Sequence, residues 1–416
     1  MVYATERRQY ERLLLCLRSH SQSLFRRAVF FVSQHNAGLL PLPLSTYLAP
    51  LVVIANKSLA GSALSAAVLH DSKRRYWGGA TPPQSVGGLN ITDEAFRDLF
   101  RFTKADFEDM LERFREDLPA LLPWPQAGPK PHRYPLFVGL LCLVLRLSQK
   151  GSMVVYSDFL RMDERRISEA WRACAVSLAG RFGETLLDMK RWAFLSLESQ
   201  EAFCRYDGFP CQHAAGVIDG KQFTIAKPVN RGFEHYTYNG HKKNNSLMML
   251  TIVSAHGLAI FAGGPFPGRL SDSRAVNYYD VHDKIRDWRA ESVALHGPSC
   301  NDLHVIGDGG FVTNTEIYCS FFNPARGSPE AQWNTGMHKV RVIVEMFFGN
   351  LVKQFPFIGA GKEFKIGCHP YGSVLQSAYL LHNLHTTYQR GSNISSQLHV
   401  ELPTVEKVFE VMRMQV

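Results

Sequence analysis

The sequence predicts an α/β protein in which a mixed sheet flanked by helices follows an all-helical region. Residues 91–200 show helical spacing of apolar side chains, interrupted by short polar turns. Beyond residue 213, short apolar runs at 214–218 and 303–306 alternate with helical segments. Strands that alternate with helices are typical of a sheet covered by helices.

Composition indicates a globular chain with an excess of positive charge. The 416 residues are 45% hydrophobic, 12% aromatic and 20% charged, which excludes a disordered chain and suffices for one large core or two moderate ones. Lys and Arg outnumber Asp and Glu by 46 to 37, a formal charge of +9 that suits a polyanionic partner. The eight cysteines are scattered without a CxxC pair, as expected in a reducing compartment.

Residues 1–88 form an extension of unknown role. Charges of both signs within residues 1–10 argue against a secretory signal. Residues 44–69 are apolar but interrupted by Asn56-Lys57-Ser58, which favours a packed helical pair over a membrane span of about 20 apolar residues. We expect no membrane association.

Residues 89–205 are predicted to form the helical region. Thr92, and Thr103 together with Asp106, are expected helix caps. After a proline-rich loop at 122–135, the apolar run 136–147 has the length of a buried helix.

Residues 156–182 allow two interpretations. The first is a helix-turn-helix, with a polar break at 161–164 and Arg165 and Arg166 contacting DNA at the start of the second helix. The second is a plain helical bundle whose arginines are solvated.

Residues 206–392 contain the predicted sheet, and 393–416 form a tail. Within the sheet, residues 247–254 and 258–262 flank a His256-Gly257 turn, the pattern of a β-hairpin.

Three acids stand out in this region. Asp219 follows an apolar strand and precedes Gly220, and Asp308 follows another strand into a glycine-rich turn. Glu345 lies in a predicted helix, next to an apolar stripe that includes Val340 and Val344. A lone acid buried there would need a cation, either a metal ion or Arg341 one turn earlier.

Three carboxylates brought to one point could bind Mg²⁺ ions for phosphodiester cleavage, since Mg²⁺ prefers oxygen ligands. Each acid also has a structural interpretation. An Asp before Gly often forms a turn, and a Glu four residues after an Arg often forms a helix ion pair. A Ser-His-Asp hydrolase is disfavoured because no Gly-x-Ser-x-Gly elbow precedes a helix.

Over residues 216–384, about 40% of the chain, the order of motifs resembles the Harbinger-type transposases of the DDE superfamily. The motifs are Ile218-Asp219-Gly220, the aromatic-glycine-basic stretch 238–243, the Gly-x-x-x-Asp-Ser segment 268–273, Gly307-Asp308-Gly309-Gly310-Phe311, the helix residues Asn334, Met337, Val340, Arg341 and Glu345, and His382-Asn383. The resemblance departs at Lys221-Gln222, where Thr or Ser is usual, and at Phe311, where Tyr is common. These departures bear on activity more than on fold.

The resemblance implies an RNase H-like nuclease domain preceded by a helix-turn-helix. It implies that Asp219, Asp308 and Glu345 are catalytic and bind divalent metal, Mg²⁺ or Mn²⁺. The expected activity is cleavage of transposon ends by a two-metal mechanism, in the nucleus, by a protein that acts on DNA with a Myb-like accessory protein or as a homo-oligomer. The alternative is a domesticated DNA-binding protein that no longer cuts.

Further residues have competing interpretations. Lys242, Lys243 and Arg341 are expected to contact DNA, and Tyr236 and Tyr238 lie among basic residues that either track a phosphate backbone or protect a sheet edge. For Asp272, helix capping is favoured over ligand binding. Packing is favoured over zinc binding for the group Cys204, Cys211 and His213. The same holds for the pair His382 and His385.

Overall fold

The computed structural model describes residues 82–414, except positions 90, 120, 122–133, 241, 362–363 and 367. The expectations for residues 1–81, including the apolar segment 44–69, lie outside the described residues. Most of the proline-rich loop lies outside them as well.

The helical region begins with two helices whose caps were predicted from sequence. Its helices are α1 (Asp93–Phe100), α2 (Lys104–Asp117), α3 (Leu136–Ser148), α4 (Ser157–Leu160), α5 (Glu164–Phe182) and α6 (Ser196–Cys204). The Thr92 hydroxyl accepts from the Ala95 N–H, and Thr103 and Asp106 form a reciprocal capping box. Satisfying N–H groups that lack a partner within the helix stabilises each start.

Helices α4 and α5 have the order expected for a helix-turn-helix, with two differences. The first α-helix is four residues long and follows a 3₁₀ turn at Met153–Tyr156. In α5 the exposed residues are Glu164–Arg166 in the first turn and Gly180 near the end, and most of the other residues are buried. Helix α5 packs against α3. Any contact of α5 with DNA would therefore involve its first turn, and the DNA-binding role of this segment stays a prediction.

The sheet is mixed. Its strands are β1 (Ala214–Thr224), β2 (Tyr238–Asn239), β3 (Asn244–Val253), β4 (Ala259–Pro267), β5 (His304–Gly307) and β6 (Ile317–Cys319). Their order is β4-β3-β1-β5-β6, with the short β2 also paired to β3. Strand β3 runs antiparallel to its neighbours β1 and β4, whereas β5 and β6 run parallel to β1. The predicted α/β class and the hairpin around His256-Gly257 are confirmed.

Strand β1 is longer than its apolar run indicates. The sequence places the strand end at Ile218, but the antiparallel ladder with β3 continues from Val217 to Thr224. Residues 219–222 are polar and resemble a turn, yet their backbone groups are paired. Asp219 therefore lies in the middle of β1, opposite Thr251, and the prediction that it ends a strand was wrong.

Seven further helices complete the described chain. They are α7 (Arg231–Thr237), α8 (Asp272–Tyr278), α9 (Val281–His296), α10 (Pro329–Gln354), α11 (Tyr371–Tyr388), α12 (Asn393–Leu398) and α13 (Val405–Arg413). Helices α6 and α10 pack against β1, and α11 packs against both β4 and α5. Helix α11 thus joins the helical region to the sheet.

Buried polar contacts tie these layers together. Asn383 on α11 accepts from the Ala259 N–H at 3.0 Å and donates to the Ala259 carbonyl at 2.9 Å, which fixes the helix to the first residue of β4. His256 in the hairpin turn is buried and contacts Glu198 and Ser199 of α6. From Pro82 onward the chain forms one compact unit, and the domain boundaries at 88/89, 205/206 and 392/393 stay predictions. None of the described helices is long and apolar enough to cross a membrane.

Candidate active site

Parallel strands bring the first two acids to the same level of the sheet. In the β1–β5 pair, Val217 lies opposite Ile306. Continuing this register by two residues sets Asp219 beside Asp308, and adjacent strands are about 4.8 Å apart. Strand β5 ends at Gly307, so Asp308 is the first residue after the strand. From Asp219 onward, β1 has no parallel strand beside it. The two carboxylates therefore share the point at which the parallel part of the sheet stops.

Both aspartates also bind the backbone that follows them. The Gly220 N–H donates to Asp219 Oδ1 at 2.8 Å, and the Gly310 N–H donates to Asp308 Oδ1 at 2.8 Å. The turn-forming interpretation of an Asp before Gly therefore holds for Asp308, in addition to its position at the strand end. One oxygen of each carboxylate has no such backbone bond.

Helix α10 carries the third acid as predicted, but on a different side from the expected one. Val340, Val344, Phe347 and Leu351 are all buried, which confirms the predicted apolar stripe. Glu345, however, is exposed, because its position on the helix turns it away from the stripe. An exposed carboxylate needs no buried counter-charge.

Arg341, one turn before Glu345, is the cation of the site. Its side chain is only 12% exposed, and its Nη2 lies 4.0 Å from Asp308 Oδ2. Among the described residues, nothing accepts a hydrogen bond from its buried Nε. Arg341 therefore compensates the negative charge of Asp308 more directly than it compensates that of Glu345.

Asp272 is a fourth acid of the site, which the sequence interpretation assigned to helix capping. The capping position of α8 is occupied by Ser271, and Asp272 is the first helical residue. Its carboxylate packs over the backbone of Gly220, where an added Cβ would lie 2.1 Å from Asp272 Oδ1. The hydroxyl of the next residue, Ser273, donates to the Gly310 carbonyl at 2.6 Å. The start of α8 thus bridges the backbone after Asp219 and the turn after Asp308.

The electrostatics show that these carboxylates are neighbours. Burial raises the pKa of Asp219, and the negative charges of Asp308 and Glu345 raise it further, whereas the Gly220 N–H and Arg341 lower it. Burial, followed by the charges of Asp219 and Asp308, raises the pKa of Asp272 to about 6. Asp219 therefore lies close enough to Asp272, Asp308 and Glu345 for their charges to interact at one end of the sheet.

Lysine side chains lie at the border of this acidic group. Lys221 is half-buried beside Asp219 and Glu345, and burial together with the charge of Lys242 lowers its pKa. Its ammonium lies 5.5 Å from the centre of the Phe348 ring. Lys242 and Lys243 are exposed in the turn that precedes β3. The two arginines predicted to contact DNA from α5 are also accessible, with Arg165 87% and Arg166 47% exposed.

The donor set of the site suits a hard divalent cation. Carboxylate oxygens are the ligands that Mg²⁺ prefers, and a cation would offset the burial and the neighbouring negative charges that raise the pKa of Asp219 and Asp272. Within the described part of the chain, however, no group of three or more His, Cys, Asp or Glu side chains has the arrangement of a formed metal site. In this structure Asp219 Oδ1 and Asp308 Oδ1 each accept a hydrogen bond from a backbone N–H.

The residues considered for zinc binding make contacts within the protein, although Cys204, which was expected to be a buried thiol, is exposed. Cys204 donates to the Gln212 carbonyl, Cys211 contacts the Met337 sulfur, and His213 contacts Gln200. On α11, His382 is buried against Gln354 and Phe347, and the His385 ring meets the Phe102 ring edge-on.

Residues 218–383 match the family model of the DDE superfamily endonucleases. The match begins one residue before Asp219, ends at Asn383 and includes Asp272, Asp308 and Glu345. It covers less than half of the chain and supports a place for this region in the DDE superfamily, whose enzymes are nucleases that typically use divalent metal ions on DNA. No curated protein and no solved structure matches the chain.

Proposed function

We propose that the protein is a metal-dependent DNA endonuclease of the transposase type, closest in its motifs to the Harbinger group, which cleaves phosphodiester bonds at transposon ends. The observation that carries this proposal is the register of β1 and β5, which pairs Val217 with Ile306, two residues before Asp219 and Asp308, within the region that matches DDE superfamily endonucleases. The strand order, antiparallel on one side of β1 and parallel on the other, supports an RNase H-like domain.

Asp219, Asp308 and Glu345 would hold the divalent metal ions, Mg²⁺ or Mn²⁺. Bound metal ions supply activation of a water molecule and stabilisation of the leaving oxygen in phosphodiester cleavage. The residues of the chain supply the remainder. Arg341 lies beside Asp308 and can neutralise phosphate charge, and a nearby cation would offset the burial that raises the pKa of the Asp219 carboxylate.

DNA would contact basic residues on both sides of the acids. Lys242, Lys243 and Arg341 border the site, and exposed Arg165 and Arg166 at the start of α5 are the contacts of the proposed helix-turn-helix. A nuclear location and a Myb-like accessory protein or homo-oligomer belong to the same proposal. The excess of basic over acidic residues, 46 to 37, supports a polyanionic substrate.

A second function, DNA binding without cleavage, is favoured by two observations. Arg341 already provides a counter-charge to Asp308, and the described acids do not form a metal-binding group. A domesticated protein that keeps the fold would have these features, because a counter-charge from the chain could then stand in place of a metal ion.

Cleavage assays on the three acids test the proposal. Asp219→Asn, Asp308→Asn and Glu345→Gln should each reduce Mg²⁺-dependent nicking of terminal-repeat DNA by about 100-fold or more, because loss of one ligand weakens metal binding and misplaces the ions. The measurement is the initial rate of product formation on a labelled duplex, with and without EDTA.

Glu291→Gln is the matched control, since Glu291 is an exposed acid on α9 outside the site. It should cleave at the wild-type rate. A wild-type protein that binds the duplex but shows no metal-dependent cleavage would support the non-cleaving alternative. Full activity in any one of the three variants would remove that residue from the site.

A further inference from the structure

Three aromatic rings are exposed among basic side chains on the segment between β1 and β3. Phe233 is 53% exposed, Tyr236 61% and Tyr238 43%. Phe233 and Tyr236 are one turn apart on α7 and therefore neighbours on its surface. We call this the aromatic-basic surface, and it comprises Phe233, Tyr236, Tyr238, Arg231, Lys242 and Lys243.

The rings are exposed because the opposite side of α7 is fixed to β3. Thr237 is buried, and the Asn245 side chain donates to its hydroxyl at 2.9 Å and to the Glu234 carbonyl at 3.0 Å. The Asn230 side chain accepts from the Gly232 and Phe233 N–H groups at the helix start. A short helix held in this way has a fixed backbone, so little backbone ordering entropy would be lost when a ligand binds.

The charge around the rings is positive. The acid of α7, Glu234, is paired with Lys227 at 2.8 Å. Among the described residues, Arg231, Lys242 and Lys243 form no ion pair with an acidic side chain. Arg269 lies against His235 at 2.7 Å and adds a further cation nearby. Such a surface is complementary to a polyanion.

The aromatic-basic surface begins next to the carboxylates. Lys242 is close enough to Asp272 for their charges to interact. The Asn239 side chain donates to the Gly268 carbonyl at 2.9 Å, which ties β2 to the segment that leads into Asp272. A nucleic-acid strand on the surface would therefore reach the acids.

We propose that the aromatic-basic surface binds unpaired bases of single-stranded DNA beside the carboxylates, an inference that rests on the proposed nuclease function and specifies the state of its substrate. Exposed aromatic rings offer a stacking face to any unpaired base, whereas the bases of a closed duplex are already stacked and cannot reach them. Arg231, Lys242 and Lys243 provide the phosphate contacts that accompany stacking. The surface thus holds the DNA strand where it has opened near the cleavage site.

Binding of short oligonucleotides to the full chain tests this proposal. Fluorescence anisotropy in EDTA, where metal-dependent cleavage cannot occur, compares three labelled 20-nucleotide probes: a mixed-sequence single strand, an abasic strand of the same charge and the corresponding duplex. The wild type should bind the single strand about 10-fold more tightly than the abasic strand, and Phe233→Ala/Tyr236→Ala should abolish that preference. Duplex affinity should change by less than about 3-fold, since the cations remain.

Leu295→Ala is the control for an exposed apolar side chain elsewhere, on α9, and should keep the preference. Circular dichroism melting shows whether the double variant is folded. Equal wild-type affinity for the mixed and abasic strands would overturn the proposal. Sedimentation would also overturn it if the wild type were a dimer, the double variant a monomer, and both bound the single strand equally. The surface would then bind a second copy of the chain. Asp219→Asn separates the two hypotheses, since loss of cleavage with retained base preference leaves this inference standing.

Discussion

At the residue scale, the site depends on which neighbours each acid meets. Asp219 was predicted at a strand end, yet it lies within β1 and becomes accessible because the parallel neighbour β5 stops at Gly307. Gly220 contributes through the absence of a side chain, since the carboxylate of Asp272 occupies the space of its missing Cβ. The acid regarded as a helix cap is therefore part of the acidic group.

The raised pKa of Asp272 leads to a stability prediction. Burial and the nearby aspartates hold its pKa at about 6 in the folded protein, above the value near 4 expected in the unfolded chain. The folded state therefore binds the proton more tightly, and the metal-free protein loses stability as pH rises from 4 through 6.

Asp272→Asn should remove this loss and stabilise the metal-free protein by about 1–2 kcal/mol above pH 7, after allowance for solvent screening. At pH 4 the gain should vanish. Urea unfolding in EDTA at both pH values measures the difference. Asp287→Asn on α9, an exposed acid, is the control, and an equal effect at pH 4 and pH 8 would contradict the electrostatic explanation.

At the element scale, the order of helices and strands follows from local signals, whereas their contacts depend on a few buried polar groups. The contact between α11 and β4 rests on Asn383, whose amide satisfies both backbone groups of Ala259. Because this pair is buried, removal of the amide leaves a donor and an acceptor without partners.

Asn383→Ala should therefore destabilise the protein by about 2–4 kcal/mol. Thermal and urea unfolding provide the measurement, analysed relative to the wild type. Asn350→Ala is the matched control, because Asn350 on α10 makes an exposed contact with Asn393, and its loss should cost less than about 1 kcal/mol. Similar losses in both variants would refute the role assigned to the buried amide.

At the scale of the whole molecule, the helical region and the sheet share one hydrophobic core that buries several histidines in neutral form. Burial lowers the pKa of His304 and His385 to about 4 and that of His382 to about 3. In the unfolded chain these side chains titrate near 6.5. Between pH 6.5 and 4 the unfolded chain therefore binds more protons than the folded protein. The free energy of unfolding falls as pH falls through that range.

Each such histidine should contribute up to about 1.4 kcal/mol of lost stability per pH unit below 6.5. His385→Phe keeps a ring against Phe102 and should lose less stability between pH 6.5 and 4.5 than the wild type, even if its stability at pH 7 is lower. Urea unfolding across this range measures both slopes. His399→Phe, at an exposed position, should keep the wild-type slope, and identical slopes for His385→Phe would show that another group causes the acid sensitivity.

Local patterns in the chain were sufficient to predict the α/β class, the caps at Thr92 and Thr103, the hairpin at His256-Gly257 and the helix that carries Glu345. These features depend on spacing and on contacts between residues close in sequence. The choice of Asp219, Asp308 and Glu345 came from the order of motifs and stays a prediction at the level of metal binding and cleavage.

Other properties depended on residues far apart in the chain. The length of β1 is set by its ladder with β3, and the exposure of Glu345 is set by how α10 packs against the sheet. The position of Asp272 over Gly220 joins residues about fifty positions apart. Such neighbours have no local signature, because a carboxylate in a helix-capping pattern looks the same whether it faces solvent or two other acids. Only the tertiary structure could decide this, since burial and mutual charge arise when distant elements pack together.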